Sequence, residues 1–213
     1  MSRIGLYFGS FNPVHNGHMM VANYALTHGG IDELWFVPTV QNPQKDEKDS
    51  VSFDLRVEML ENTLTNPFPT MNMSVCRIEK DLPSPHYTYQ TLEAIKETYK
   101  DNEFVLILGW DSYETIHSWG KFQELIKHDI LIMPRISLMM PSKIDMIKRK
   151  DELCLFYKKH GWEIGTHTVM VDMPTSTMSS SFIRHEIREG NEVRYYIPSE
   201  VWTIIGKNKL YKN

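Results

Sequence analysis

Cysteine is nearly absent from this 213-residue chain: Cys76 and Cys154 stand far apart, with no Cys-x-x-Cys pair. That spacing gives no sign of a zinc site or a redox dithiol and leaves two reduced core thiols. Long apolar runs are missing too. Nowhere do about 18 consecutive apolar residues occur, so no membrane span is expected, and the start, MSRIGLYFGS, lacks the apolar run of a signal peptide. A cytoplasmic location without a membrane partner follows as the expectation. Charge of one sign is also lacking. With 23 Lys and Arg against 27 Asp and Glu, the net charge of −4 supplies no global attraction to nucleic acid. Any anion site must therefore be built locally. There is no internal repeat, low-complexity tract or obvious linker, and 41% hydrophobic content suits a normal core, so one domain over 1–213 is expected. The oligomeric state stays open, a homo-oligomer included.

What is present is an alternation of short β-rich runs with helical patterns. IGLYF, then residues 18–28, ELWFV, then 53–64, MSVCRI, then 88–99, and FVLIL read as βαβ units of a parallel sheet in an α/β fold. Phe53, Val57, Leu60 and Leu64 share one helical face, as do Leu92, Ile95 and Tyr99. A turn at GWDS, a short helix near 121–128 and a strand at DILIMP follow. The lysine-rich stretch 141–160, with Ile144, Ile147, Leu153 and Phe156 among its lysines, reads as a surface helix with a solvated basic face. HTVMVDM reads as a last strand, SSSFIRHEIREG as a helix stopped by Gly190, and PSEVWTIIGK as a terminal helix begun by Pro198.

At the first strand-to-helix junction the chain reads GSFNPVHNGH. Strand one ends at Gly9, Ser10 to Pro13 are loop formers, and Gly17 permits close backbone approach. Met20, Val21, Tyr24 and Ala25 then begin a core-facing helical stripe. His15 and His18 thus stand where a parallel sheet puts its ligand crevice, beside a helix N-terminus that offers N–H donors and a positive dipole end. Two imidazoles there suit hydrogen-bond stabilisation of a phosphate. Zinc ligation would need further ligands, and the other histidines are scattered. A purely structural role in capping the turn is the remaining alternative.

The second cluster is Met178-Ser179-Ser180-Ser181-Phe182-Ile183-Arg184. Serines at a helix start supply hydroxyls and backbone donors. Arg184 falls in the first turn, where the dipole disfavours a cation, with Arg188 four residues on as a like charge. A triphosphate would balance that arrangement, and so would a carboxylate from another segment, such as Asp111.

Gly9-Ser10-Phe11-Asn12-Pro13-Val14-His15-Asn16-Gly17-His18 resembles the G-x-F-[DN]-P-x-H-x-G-H signature of the nucleotidyltransferase superfamily, and Met178 to Arg184 resembles its I-S-x-T-x-I-R signature. Between them Pro38-Thr39, Asn42 to Lys45, Tyr87 to Leu92, and Gly109-Trp110-Asp111-Ser112 through Trp119 are similar to the bacterial nicotinate-nucleotide adenylyltransferases. Gln44 departs from that family's histidine, and Asn12 stands where many members have aspartate. The resemblance implies a Rossmann-like nucleotidyltransferase fold, a parallel sheet with helices on both faces.

It also implies a reaction: ATP, with Mg²⁺, and nicotinate mononucleotide give deamido-NAD and pyrophosphate. The mononucleotide phosphate is already an anion, so alignment and charge stabilisation are the work required. In the family's terms His15, His18 and Arg184 are the catalytic residues. ATP is expected at Gly9, Ser10, Phe11, Gly17, Lys45, Gly109, Asp111, Ser179 and Ser180. The nicotinate nucleotide is expected at Thr88, Tyr89, Trp119 and Arg135, with Trp119 stacked on the pyridine ring. No protein side chain is assigned to the metal. Trp119 could instead anchor the core and Arg135 form a surface ion pair. Two other functions stand beside this one: an acceptor that is nicotinamide mononucleotide, alone or as a second substrate, and a nucleotide-binding regulator without turnover.

Overall fold

The computed structural model describes residues 1–40, 51–65, 71–134 and 141–212. Within them six strands form one parallel sheet: β1 (Arg3–Gly9), β2 (Glu33–Pro38), β3 (Met73–Val75), β4 (Glu103–Gly109), β5 (Asp129–Met133) and β6 (His167–Val169). Their order is β3-β2-β1-β4-β5-β6, with Leu6 of β1 in register with Trp35 of β2 and Leu106 of β4. Parallel neighbours require crossovers. These are supplied by α1 (Asn16–His28), α2 (Phe53–Thr65), α3 (Thr88–Thr98), α4 (Trp110–Glu114), α5 (Phe122–Leu125) and α6 (Lys143–Lys159), with α7 (Ser180–Arg188) and α8 (Ser199–Asn208) after β6.

The strands read as continuous apolar runs because both faces are covered. Leu34 and Phe36 of β2, with Val105 and Ile107 of β4, point into a core closed by Ala22 and Ala25 of α1, Leu60 of α2, Ile183 of α7 and Ile205 of α8. Trp35, Val37, Leu106 and Leu108 point the other way, against Leu92 and Ile95 of α3, Trp110 and Tyr113 of α4, and Met146 and Tyr157 of α6. The period of two along each strand and of three to four along each helix makes this a doubly wound α/β sheet. No helix of the described residues is long and apolar enough to cross a membrane.

Five details differ from the sequence expectation. The stripe of α1 keeps Val21, Tyr24 and Ala25 against the core and adds the fully buried Ala22, while Met20 is exposed; small side chains let the helix approach the sheet. MSVCRI is strand only over Met73–Val75. After Cys76 N–H donates to the Phe36 carbonyl at 2.8 Å, the chain winds into a 3₁₀ turn, Ile78–Asp81, that buries Glu79. HTVMVDM is strand over His167–Val169, ending after Met170 N–H donates to the Ile132 carbonyl. The GWDS stretch is not a turn but opens α4, because a helical turn sends Trp110 and Tyr113, three apart, into the core together. The expected helix near 121–128 is the four-residue α5.

From β1 the chain runs to one edge of the sheet through β2 and β3, then returns to β4 and runs to the other edge. The order of strands reverses between β1 and β4, and their carboxyl ends are Gly9 and Gly109. In an open α/β sheet the ligand crevice opens at such a point.

Candidate active site

His15 caps α1, and His18 is the third residue of its first turn. The two side chains form a reciprocal box: Nδ1 of His15 accepts from His18 N–H at 3.3 Å, and Nδ1 of His18 accepts from His15 N–H at 3.2 Å. A ring nitrogen that accepts carries no hydrogen, so this network assigns the proton of each neutral imidazole to Nε2. The rings stack at 3.6 Å between centroids, and His18 meets the Phe11 ring edge-on at 5.0 Å. His15 is 4% exposed. The first-turn amides are partly spoken for, since Asn16 N–H donates to the Tyr196 carbonyl at 2.9 Å and Met19 N–H to the His15 carbonyl.

Gly17 is closely surrounded. A Cβ there would lie 3.0 Å from the His15 ring and 3.6 Å from Cβ of Met178. A Cβ at Gly9 would meet the Phe11 ring at 2.8 Å. Phe11 itself has φ of +46° and is 1% exposed, its ring packed on Tyr7 and Phe36. The Phe11 ring is therefore part of the core and not open to a nucleotide.

The serine-rich segment reaches the same place from the far end of the chain. Ser179 caps α7, its Oγ accepting from Phe182 N–H at 3.1 Å. The Ser180 hydroxyl donates to the Pro13 carbonyl at 2.9 Å, and Arg184 Nη1 donates to the Asn12 carbonyl at 2.8 Å. Two helix N-termini, two imidazoles and a guanidinium thus converge beside the end of β1. Such a set has donors for an anion and no strong base.

Gly109 ends β4 and Asp111 lies in the first turn of α4, its Oδ1 only 2.6 Å from where a Cβ of residue 109 would sit. Thr88 and Tyr89 begin α3. The Tyr89 ring stacks with Tyr87 and lies under Lys121 Nζ at 4.5 Å, and Gly120 packs against both tyrosines. Trp119 is half-buried, packed against the cluster that holds Trp110 and Tyr113. Lys45, Gln44 and Arg135 lie outside the described residues.

The chain matches a family model described as cytidylyltransferase-like over residues 6–186. It is 35% identical to a protein of Flavobacterium johnsoniae named "Probable nicotinate-nucleotide adenylyltransferase", over 99% of both chains. The chain belongs to the nicotinate-nucleotide adenylyltransferase family. A relative of the same name from Bacillus licheniformis is 32% identical over the whole of both chains. Among solved structures, Plasmodium falciparum nicotinic acid mononucleotide adenylyltransferase, complexed with NaAD, superposes with a TM-score of 0.78 at 21% identity, covering 99% of this chain and 98% of that one. That likeness shows the nucleotidyltransferase fold.

Nucleotidyltransferases of this kind use a divalent metal with ATP. Among the described residues no group of three or more His, Cys, Asp or Glu could hold a metal ion. A metal that arrives on ATP, carried by phosphate oxygens and water, would need few ligands from the protein. Sequence reasoning also passed over partners of the first motif. Asn12 Oδ1 accepts from the Tyr211 hydroxyl at 2.6 Å and from Val51 N–H at 3.4 Å. Burial pushes the Tyr211 hydroxyl well above the usual tyrosine pKa, so it stays a donor. Nothing in the tail's composition signals this contact across 199 positions.

Proposed function

We propose that the residues around the end of β1 transfer the adenylyl group of ATP to nicotinate mononucleotide. A phosphate oxygen of the mononucleotide attacks the α-phosphorus of ATP. The new P–O bond joins the two nucleotides, the bond from the α-phosphorus to the oxygen bridging to the β-phosphorus breaks, and pyrophosphate leaves with its electron pair. No proton is abstracted, so the absence of a general base costs nothing, and the rate depends on alignment and charge stabilisation. Mg²⁺ bound with ATP would add charge neutralisation at the phosphates.

In this reading the Nε2–H groups of His15 and His18 donate to the α-phosphate as charge develops on it. Gly17 allows the close approach, with Gly9, Ser10 and the Phe11 backbone beside the nucleotide. Ser179, Ser180 and Arg184 hold the β- and γ-phosphates, together with Lys45, and Gly109 and Asp111 border the nucleotide. Thr88, Tyr89 and Trp119 receive the nicotinate ring, with Arg135 at the acceptor phosphate. The observation that carries the proposal is the joining of the two motifs by Ser180 to Pro13 and Arg184 to Asn12. ATP as donor fits a cytoplasmic location.

Nicotinate carries a carboxylate that accepts charge-assisted hydrogen bonds, whereas the amide puts an NH₂ where one oxygen would sit. The test is an assay of the purified chain with ATP, Mg²⁺ and each mononucleotide. Nicotinate mononucleotide is expected to be preferred by at least about a hundredfold in kcat/KM, within the range open to a site that leaves donors unpaired. Comparable rates would move the assignment to dual specificity, and pyrophosphate release with neither would leave a binding regulator.

A further inference from the structure

Two charged side chains lie deep in the molecule away from the histidines. Arg56 of α2 is 2% exposed, and Glu79, in the 3₁₀ turn after β3, is 1% exposed. Arg56 spends its donors on backbone rather than on a carboxylate. Its Nη1 donates to the Ser10 carbonyl at 2.6 Å and to the Thr39 carbonyl at 2.8 Å, its Nη2 to the Val40 carbonyl at 3.1 Å, and its Nε to the Val51 carbonyl at 3.1 Å. One rigid fork thus ties the turn after β1, the chain after β2 and the residues before α2. Glu79 completes the arrangement. Its Oε1 accepts from Val40 N–H at 2.8 Å and its Oε2 from the Thr91 hydroxyl at 3.0 Å.

The C=O of Thr39 and the N–H of Val40 belong to one peptide unit. A trans peptide points those groups in opposite directions, so Arg56 grips it from one side and Glu79 from the other. The two buried charges are joined through a peptide instead of touching. The same logic applies to the Ser10–Phe11 peptide, where fixing the carbonyl also fixes the direction of the Phe11 N–H. Phe11 has φ of +46°, a left-handed conformation that a bulky residue keeps only when its surroundings over-determine it. Arg56 is one such determinant. Buried charges of this kind add little net stability compared with apolar residues, but they specify backbone orientation.

We infer that Arg56, backed by Glu79, is a positioning residue that holds the Ser10–Phe11 turn and the Thr39–Val40 peptide in the arrangement that receives the phosphates of ATP. The inference rests on the adenylyl-transfer reading. Its test compares Arg56→Lys, Glu79→Gln and the isosteric Thr91→Val with wild type, all assayed below their melting temperatures. Arg56→Lys keeps the charge but loses the fork. It is expected to lower kcat/KM for ATP by about ten- to a hundredfold, the scale of an ångström-sized misplacement, with KM for nicotinate mononucleotide within about twofold of wild type. Glu79→Gln and Thr91→Val should shift the same constants in the same direction by smaller factors. If Arg56→Lys does not fold, those two variants decide. Folded variants with wild-type kcat and KM for ATP, whatever their loss of melting temperature, overturn the inference, as does equal weakening of both substrates. A wild-type control that releases no pyrophosphate overturns the function itself, and this inference with it.

Discussion

Replacing His15 by asparagine in one variant and by alanine in another separates two roles of the imidazole. In the structure Nδ1 caps α1 by accepting from His18 N–H at 3.3 Å, while Nε2 is left as the donor nitrogen. Asparagine carries a side-chain oxygen suited to an N-cap, and alanine carries none. Loss of a cap costs about 1 kcal/mol, which in a domain of this size lowers the melting temperature by about 2–4 °C. Both substitutions remove the ring from a site only 4% exposed, so most of the packing loss is common to them. The alanine variant should therefore melt about 2–4 °C below the asparagine variant. Catalysis follows a different pattern. Both variants lack the Nε2–H, and losing one donor to a developing oxyanion costs about 10²- to 10³-fold in turnover, or roughly 2.7–4 kcal/mol. Calorimetry reads the first effect and pyrophosphate release the second. An asparagine variant at wild-type turnover would refute the donor role, and equal melting temperatures would refute the cap.

Two further outcomes are expected. Trp119→Ala should raise KM for the pyridine nucleotide by the equivalent of about 1–3 kcal/mol of lost stacking, with little change in KM for ATP; steady-state kinetics with each substrate varied would show it, and equal weakening of both would mark Trp119 as a core anchor. Burial lowers the pKa of His167, whose Nε2 donates to the Ile126 carbonyl while Nδ1 accepts from the Tyr113 hydroxyl at 2.9 Å. The unfolded chain, with its histidine near 6.5, then binds more protons in acid, so stability should fall as pH drops below that value, by at most about 1.4 kcal/mol per pH unit for this group. Melting temperatures of wild type and His167→Gln from pH 7 down to 5 would test this, an unchanged slope in the variant counting against it.

Local pattern was enough for the parts of this protein that depend on near neighbours. Apolar runs ending in glycine mark β1 and β4, and the serines before Phe182 mark the start of α7. The two histidines three residues apart mark the start of α1, because capping is decided within one turn. Where a run stops is decided elsewhere. MSVCRI has strand composition throughout, yet it leaves the sheet after Val75 as the chain turns to bury Glu79. GWDS has turn composition, yet it is helical because two aromatics gain burial together. Contacts between remote segments were beyond any local signal. The Ser180 hydroxyl on the Pro13 carbonyl spans 167 positions and Tyr211 on Asn12 spans 199. Arg56 is the sharpest case. In the sequence it is one more cation on an amphipathic helix, and on that pattern a charge faces water. Only the fold brings four carbonyls within reach of its guanidinium. A buried charge is kept by hydrogen bonds that other parts of the chain supply, and where those parts meet is a property of the tertiary structure alone.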